Sequence, residues 1–348
     1  MLNKYELRTK MKNKCRNYSI ILLSFCLSLI LVSITGCDSN KDDGKETSSS
    51  VVTSPISTGK SPRETVIETS VASTTAHDKV GSRIKEDLNA AEELFKHEKF
   101  DEALKAYEHI VKQNPDYAEA HVGFGNALAH FGEYEKALGA YEKAIELRPD
   151  YAEAYFRKGC ELTSLGEADK AIEAFDMAIQ YKPDYAEAYY KKGTSLEIAG
   201  RYEDSIKSLN KAIELKPDYG EAFFMKGVCL NQSNRRVEAA NTLNKAIELD
   251  PQNTNAYINL SRAYRAQEMY EKAINILSNA LNNVSEEDNE SIYYERAKVY
   301  AVLGESDNAL KDLKKTIELN WNYVKIADTE EEFADLINTE EFKAIVEN

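Results

Sequence analysis

Residues whose side chains could carry out chemistry are scattered along this chain of 348 residues. None of its five histidines stands at a spacing typical of metal ligands. They are His77, His97, His109, His121 and His130. There is no glycine-rich phosphate-binding loop, and the glutamates stand at outward helical positions beside lysines, as Glu142 and Lys143 do, where charge is usually solvated. The residues therefore predict no enzymatic activity, no metal site and no cofactor.

The balance of charge excludes one class of partner. The chain has 59 acidic and 44 basic side chains, a formal net charge of −15 at pH 7, and its first 36 residues are basic. The remainder is therefore strongly acidic and would repel the phosphate backbone of a nucleic acid. We expect no nucleic-acid partner.

The first 36 residues have the order of an export signal, with a basic start, an apolar run over 19–35 and then Gly36 and Cys37. The stretch from Ser33 to Cys37 resembles the lipobox of bacterial lipoproteins. The resemblance implies that residues 1–36 are a lipoprotein signal peptide and that the Cys37 thiol receives a diacylglycerol. The mature protein would then be extracytoplasmic and lipid-anchored to the cell membrane. An uncleaved membrane anchor is the alternative, because about 17 apolar residues can just span a bilayer.

Residues 37–81 are rich in Ser and Thr and contain no aromatic residue and no helical periodicity. Such a segment cannot bury enough apolar surface to offset the entropy lost on ordering. It is therefore predicted to be a flexible tether.

Beyond the tether, proline recurs with a period of 34 residues. The five prolines are Pro115, Pro149, Pro183, Pro217 and Pro251. A fixed period of this length is typical of architectures in which each unit stacks only on its neighbours. We predict an array over residues 82–323, with seven units that begin near residues 84, 118, 152, 186, 220, 254 and 290.

Within each unit, apolar residues recur at helical spacing in two blocks. In the second unit, Phe124 and Leu128 belong to the first block, and Tyr134, Leu138 and Tyr141 belong to the second. This pattern predicts two antiparallel helices per unit.

The units resemble tetratricopeptide repeats (TPRs), in which a small residue on the first helix faces an Ala-x-x-x-aromatic pair on the second. Gly159, Ala171 and Phe175 occupy these places in the third unit. The resemblance implies an all-α fold, a right-handed superhelical solenoid of about seven TPR helix pairs.

The phrase Pro-Asp-Tyr, which follows each of the first four units, is predicted to be a joint. Proline stops one helix, and the aspartate is expected to cap the next helix with a glutamate three residues later, at capping-box spacing. The following tyrosine is expected to pack across the turn. The four expected caps are Asp116, Asp150, Asp184 and Asp218.

The C-terminal tail, residues 324–348, carries two further cap signals, at Thr329 and Thr339. Apolar residues follow each signal, among them Phe333 and Phe342. We expect short capping helices that cover the apolar face of the seventh unit.

The resemblance implies that any binding surface lies on the concave side, lined mainly by the first helix of each unit. An apolar row is predicted to run through this side: Leu88, Val122, Phe156, Tyr190, Phe224, Ile258 and Tyr294. Exposed apolar rows usually mark binding surfaces, although these could be ordinary helix-surface residues. Five nearby basic residues are expected to receive a partner's carboxylates: Arg157, Lys191, Arg262, Arg265 and Lys298.

Together these patterns predict a lipid-anchored TPR scaffold or adaptor that binds a protein or peptide partner in its concave groove at the cell envelope. A ligand-free architectural spacer is one alternative. The inner tyrosines also leave open a module that binds carbohydrate or the cell wall.

Overall fold

The computed structural model describes residues 68–286 and 289–347, with side chains described from Ser82 onward. The predicted signal peptide, Cys37 and most of the predicted tether lie outside these residues. Within them the regular structure consists of sixteen α-helices and short 3-10 turns, with no β-strand. The predicted all-α fold is confirmed.

Fourteen of these helices form seven consecutive pairs, in which the first helix is called A and the second B. The A helices are α1 (Glu68–Lys96), α3 (Ala118–His130), α5 (Ala152–Ser164), α7 (Ala186–Ile198), α9 (Gly220–Gln232), α11 (Thr254–Arg265) and α13 (Asn289–Val302). The B helices are α2 (Phe100–Gln113), α4 (Tyr134–Leu147), α6 (Ala168–Tyr181), α8 (Tyr202–Leu215), α10 (Arg236–Leu249), α12 (Tyr270–Asn283) and α14 (Ser306–Leu319). The tail adds α15 (Tyr323–Ala327), a 3-10 turn (Glu331–Phe333) and α16 (Glu340–Val346).

The first helix differs from its predicted extent. The sequence predicts a tether up to residue 81 and a first unit from about residue 84, whereas α1 begins at Glu68. Nucleating a helix is unfavourable, but each further residue adds to an existing helix at little cost. The Ser- and Thr-rich stretch over 68–81 therefore extends a helix without needing apolar periodicity of its own.

In the second to fifth units, the A helix packs closely on its B helix at a glycine. A Cβ built on Gly159 would lie 2.7 Å from the Phe175 ring, and one built on Gly193 would lie 2.7 Å from Leu209. Phe175 and Leu209 are fully buried. The large residue of the B helix thus fills the space that glycine leaves open, which is the packing that the TPR resemblance implies.

The joint between units caps its helix differently from the prediction. The N-cap of α5 is Tyr151 rather than Asp150, and no side chain caps this helix. Asp150 contributes through its main chain, whose carbonyl oxygen accepts a hydrogen bond from the Ala152 N–H at 2.9 Å. The same shift occurs where the N-caps are Tyr117, Tyr185 and Tyr219.

The sixth unit shows why the predicted caps are absent. Asn253 stands at the position of the joint tyrosine, and its side chain accepts a hydrogen bond from the Ala256 N–H at 3.0 Å. The cap position therefore lies one residue later than the aspartate, where a short polar side chain can cap the helix. A tyrosine hydroxyl is held too far from its own backbone to do so.

The tail covers the last pair. Phe333 and Phe342 are fully buried against a cluster that includes Ala297, Leu313 and Ile317. The Thr339 hydroxyl accepts a hydrogen bond from the Phe342 N–H at 3.2 Å and caps α16 as predicted. Thr329 caps no helix, since the segment after it makes a 3-10 turn with Glu330 as its N-cap.

Neighbouring A helices also contact one another along the array, more than neighbouring B helices do. The A helices therefore line the inner, concave side. Side chains on this side link adjacent units: the Thr163 and Ser195 hydroxyls lie 2.9 Å apart, and the Asn231 side-chain amide donates to the Asn259 carbonyl at 3.0 Å.

Candidate functional site

The predicted apolar row is mostly interior rather than exposed. Tyr190 and Phe224 are half-buried, whereas the other five members expose less than a tenth of their surface. The five are Leu88, Val122, Phe156, Ile258 and Tyr294. The expectation that a continuous exposed apolar row marks the binding surface is therefore wrong.

The joint tyrosines explain part of this burial. The Phe156 ring lies 4.8 Å from the ring of Tyr185, and the Tyr190 ring lies 5.0 Å from that of Tyr219. In the third and fourth units the joint tyrosine thus packs on the row residue of the preceding A helix and covers part of its surface. These aromatic pairs hold consecutive units together.

In three of the four joints, the basic residue before the proline lies over the joint tyrosine. The Lys182 ammonium is 4.3 Å from the centre of the Tyr185 ring, and the Lys216 ammonium is 4.4 Å from that of Tyr219. A cation over an aromatic face is attracted to the ring's electron density. These joint tyrosines therefore make structural contacts with both a cation and the neighbouring units.

Two of the five predicted basic residues are accessible in the third and fourth units. The Arg157 side chain is 41% exposed, and its guanidinium pairs at 3.1 Å with Glu153, one turn earlier on the same helix. The Lys191 side chain is exposed, with its ammonium 5.6 Å from the centre of the Tyr190 ring. Because the Arg157 pair is exposed, it is weak enough to exchange for a partner's carboxylate.

The other three predicted basic residues lie together in a cluster at the C-terminal end of the array. Arg262 pairs with Glu295, Arg265 pairs with Glu332, and Lys298 pairs with Glu330. Two longer contacts connect these pairs: Arg265 to Glu295 at 3.6 Å and Lys298 to Glu332 at 3.3 Å. We call Arg262, Arg265 and Lys298 the basic cluster.

The carboxylates of the basic cluster come from two places in the chain. Glu295 is a buried residue of α13, whereas Glu330 and Glu332 belong to the tail. Burial raises the pKa of Glu332, but the hydrogen bond from Arg265 and the positive charges of Lys298 and Arg265 outweigh burial and lower it to about 2. Burial keeps the pKa of Glu330 above its ordinary value despite its bond to Lys298. Groups so close titrate as a pair.

The expectation that all five basic residues await a partner is therefore wrong for the basic cluster. No sequence pattern marks Glu295, Glu330 and Glu332 as partners of these cations. The acidic run that begins at Glu330 follows Thr329, so by its spacing it predicts a helix cap. Only the fold brings this run back to α11 and α13.

A shallow hollow lies beside the basic cluster. Its volume is about 370 Å³, and its walls include Arg262, Arg265, Tyr270 and Val302. It opens to solvent next to both arginines.

The described residues offer little for catalysis or metal binding. They contain no group of three or more His, Cys, Asp or Glu side chains placed to hold a metal ion. The thiols of Cys160 and Cys229 are free, and burial raises their pKa to about 11 and about 12. Both therefore stay protonated near neutral pH, whereas a nucleophilic cysteine needs the thiolate. Among the described helices, none is both long and apolar enough to cross a membrane.

Comparisons with solved structures show the same architecture. The C-terminal part of a TPR repeat-containing protein from Cytophaga hutchinsonii is 17% identical with a TM-score of 0.55, and the match covers 72% of this chain and 100% of that chain. A TPR protein from Parabacteroides merdae is 16% identical with a TM-score of 0.53, covering 76% and 99%. YrrB, described as a TPR protein with an unusual peptide-binding site, is 28% identical with a TM-score of 0.46, covering 51% and 92%. The first two show the fold.

Family models agree with this architecture. A model described as tetratricopeptide repeat matches residues 88–152, 156–220 and 199–254, and a second model of the same description matches residues 231–298. A search of curated proteins finds no match. The two models together cover more than half of the chain. The chain therefore belongs to the tetratricopeptide repeat family, whose members typically act as non-enzymatic scaffolds for protein interactions.

Proposed function

We propose that this protein is a lipid-anchored scaffold or adaptor at the bacterial cell envelope that binds a protein or peptide partner on the concave side of its array. The observation that carries the proposal is the open patch of the third and fourth units, where Arg157 and Lys191 are accessible beside the half-buried Tyr190. Charged donors beside an apolar edge are suited to bind an extended peptide with carboxylates.

Site-specific crosslinking tests where the partner binds. A photoreactive residue at Lys191 is expected to crosslink one partner in living cells, in amounts comparable with the scaffold itself. Lys170 is the matched control, because it is an exposed lysine paired with Glu167 on the B helix of the third unit. Equal crosslinking at both positions, or none at Lys191, would contradict a binding surface on the concave side.

A second experiment tests whether the positive charges of Arg157 and Lys191 contribute to binding. Replacing Arg157 and Lys191 together by Gln is expected to weaken the crosslinked partner's binding at least tenfold, because two charge-assisted contacts are lost. Replacing Lys136 and Lys170 by Gln on the B helices removes the same charge and is expected to change the affinity less than twofold. These two lysines pair only within their own helices among the described contacts.

The proposed anchor rests on the sequence from Ser33 to Cys37 and is tested by lipid labelling. An alkyne-bearing fatty acid is expected to label the wild-type protein and to leave the Cys37→Ala variant unlabelled, with that variant's signal left uncleaved. Equal labelling of both forms would contradict lipidation at Cys37. An unlabelled wild-type protein that stays in the membrane would favour the uncleaved anchor.

One observation favours the ligand-free spacer. Five members of the apolar row are used to hold the units together, so the row offers a partner less surface than the sequence predicts. The crosslinking experiment decides between the two functions. The tyrosines that suggest a carbohydrate-binding module, Tyr190 and Tyr294, pack against Tyr219 of a joint and Tyr323 of the tail, which leaves that alternative with less support.

A further inference from the structure

The charges of the basic cluster are balanced only when the tail is docked. Three cations meet three carboxylates, and two of those carboxylates, Glu330 and Glu332, belong to the tail. With the tail carboxylates removed, Glu295 would be the one remaining partner. The inner side of the sixth and seventh units would then carry two uncompensated positive charges.

Because these charges are largely buried, each needs a partner of opposite charge. The side chains of Arg265 and Lys298 are only 18% and 13% exposed, against 41% for Arg157. A half-buried cation has lost much of its hydration and requires a partner of opposite charge. The cluster is therefore built to hold carboxylates, whether they come from this chain or from another.

The tail also shows the spacing that the cluster accepts. Glu330 and Glu332 face the cations, whereas Glu331 between them is exposed and has no ion pair among the described contacts. The next residue, Phe333, places its ring 5.8 Å from Tyr294. The recognised chemistry is an acidic residue, any residue, a second acidic residue and then an aromatic one.

The acidic segment is held mainly by its side chains. It consists of an extended residue at Glu330 and a 3-10 turn over Glu331–Phe333, with no side-chain cap, whereas α16 has the Thr339 cap. A short turn makes few backbone hydrogen bonds, so the two ion-paired carboxylates and the fully buried Phe333 ring keep the segment docked. A partner that replaces it must supply both kinds of contact.

We propose that Arg262, Arg265 and Lys298 form a carboxylate-recognition site whose resident occupant is residues 330–333 of this chain. The site accepts, in exchange, a partner segment of the same acidic-x-acidic-aromatic chemistry. This inference rests on the proposed peptide-binding function and names the chemistry of one class of partner. A partner segment must therefore bind the cluster more tightly than the docked tail does in order to displace it.

The test uses the full-length protein in detergent and a fluorescent synthetic peptide with the sequence of residues 326–338. The double variant Glu330→Gln, Glu332→Gln frees the cations, and it is expected to bind the peptide at least tenfold more tightly than the wild-type protein at low salt. Adding Arg265→Gln and Lys298→Gln to that variant is expected to abolish the gain. Fluorescence anisotropy gives both affinities.

The matched control is Glu331→Gln with Asp335→Asn, which removes two charges from the same segment. Both side chains are exposed and have no ion pair among the described contacts. This control is expected to bind the peptide as the wild-type protein does. Equal affinities of the wild-type protein and the Glu330→Gln, Glu332→Gln variant, or an equal gain in the control, would overturn the proposal.

A second variant covers the case in which the first one does not fold. Glu330→Asp with Glu332→Asp keeps the charges but shortens their reach, and it is expected to give an intermediate affinity with unchanged helical circular dichroism. Wild-type affinity in this variant would overturn the proposal. If a partner crosslinks at Lys191 but the tail substitutions do not change peptide affinity, this inference alone is refuted. If the tail substitutions change peptide affinity but no partner crosslinks at Lys191, only the proposed binding surface of the third and fourth units is refuted.

Discussion

The middle of the array and its C-terminal end share one packing scheme but use their charges differently. The Tyr190 and Tyr219 rings of the fourth joint are 5.0 Å apart, and the Tyr294 and Tyr323 rings where the tail begins are 4.7 Å apart. Arg157 in the middle pairs with a residue of its own helix. Arg265 at the end pairs with Glu332, which is 67 residues away in the sequence.

This difference distinguishes packing contacts, which every repeat needs, from ion pairs, which differ from one repeat to another. The aromatic joint recurs because each unit has to bury its face on the next one. The ion pairs follow no such requirement: in the middle they lie within one helix, as Arg157 with Glu153, or join neighbouring helices, as Lys158 with Glu142. At the end they become half-buried and tie the tail to the inner surface. Removing one partner of an ion pair is therefore expected to cost little stability in the exposed middle and more at the half-buried end.

The largest expected effect is at the end of the array. Phe333→Ala removes a fully buried ring that contacts Tyr294 and Phe342, and it is expected to cost about 3–5 kcal/mol of tail docking. Amide hydrogen exchange should show lost protection in α16 and α14, with the third and fourth units unchanged. Uniform loss of protection along the array would show that the tail and the middle are not separable.

In the middle, the most sensitive point is the crossing of helices. Gly159→Val places side-chain atoms where a Cβ already lies 2.7 Å from Phe175, and it is expected to cost about 1–3 kcal/mol, or more if α6 cannot shift. Gly139→Ala is the matched control, since a Cβ there meets nothing within 4 Å. The control is expected to stabilise α4 by about 0.5–1 kcal/mol. Urea unfolding measures both, and similar losses in the two variants would contradict the packing described.

One matched pair of substitutions compares the stability cost of losing an arginine at the end of the array with the cost in the middle. Arg265→Gln removes one of the two cations that contact each of Glu295 and Glu332 in a half-buried place, and it is expected to cost about 1–3 kcal/mol. Arg157→Gln breaks an exposed pair and is expected to cost less than about 0.5 kcal/mol. Thermal unfolding at low salt measures both. Equal costs would mean that the two regions do not differ in the way described.

Acid is expected to have the smallest effect that is specific to the end of the array. Because the pKa of Glu332 is lowered to about 2 from an ordinary 4.5, its charge stabilises the folded state above pH 4.5, and this contribution is lost as the pH falls towards 2. The difference in free energy of unfolding between the wild-type protein and Glu332→Gln should therefore be greater at pH 6 than near pH 2. Urea titrations at both values test this, and a constant difference would contradict the lowered pKa.

Much of the fold was predictable from the sequence because the same helix-pair pattern recurs in several units. The helix starts near residues 118, 152, 186, 220 and 254 agree with the observed helices α3, α5, α7, α9 and α11. The start of α1 and the position of the N-caps were not predicted. Helix propagation and the shape of a three-residue turn are set by backbone geometry, on which apolar periodicity carries no information.

The candidate site was predicted less well than the fold. Arg157 and Lys191 lie accessible on adjacent inner helices, and whether they bind a partner stays a prediction. The burial of the apolar row and the pairing of the basic cluster were both missed. Each depends on a residue that reaches the site from another unit or from the tail.

The sequence by itself determined the seven helix pairs, the glycine crossings and the acidic character of the array, since these follow from residues close together in the chain. Only the tertiary structure decided which inner residues are free. Tyr185 covers Phe156 and Glu332 neutralises Arg265 because stacking of the units and folding back of the tail bring distant residues together. Burial and charge pairing are properties of such contacts, and a periodic pattern describes one helix at a time.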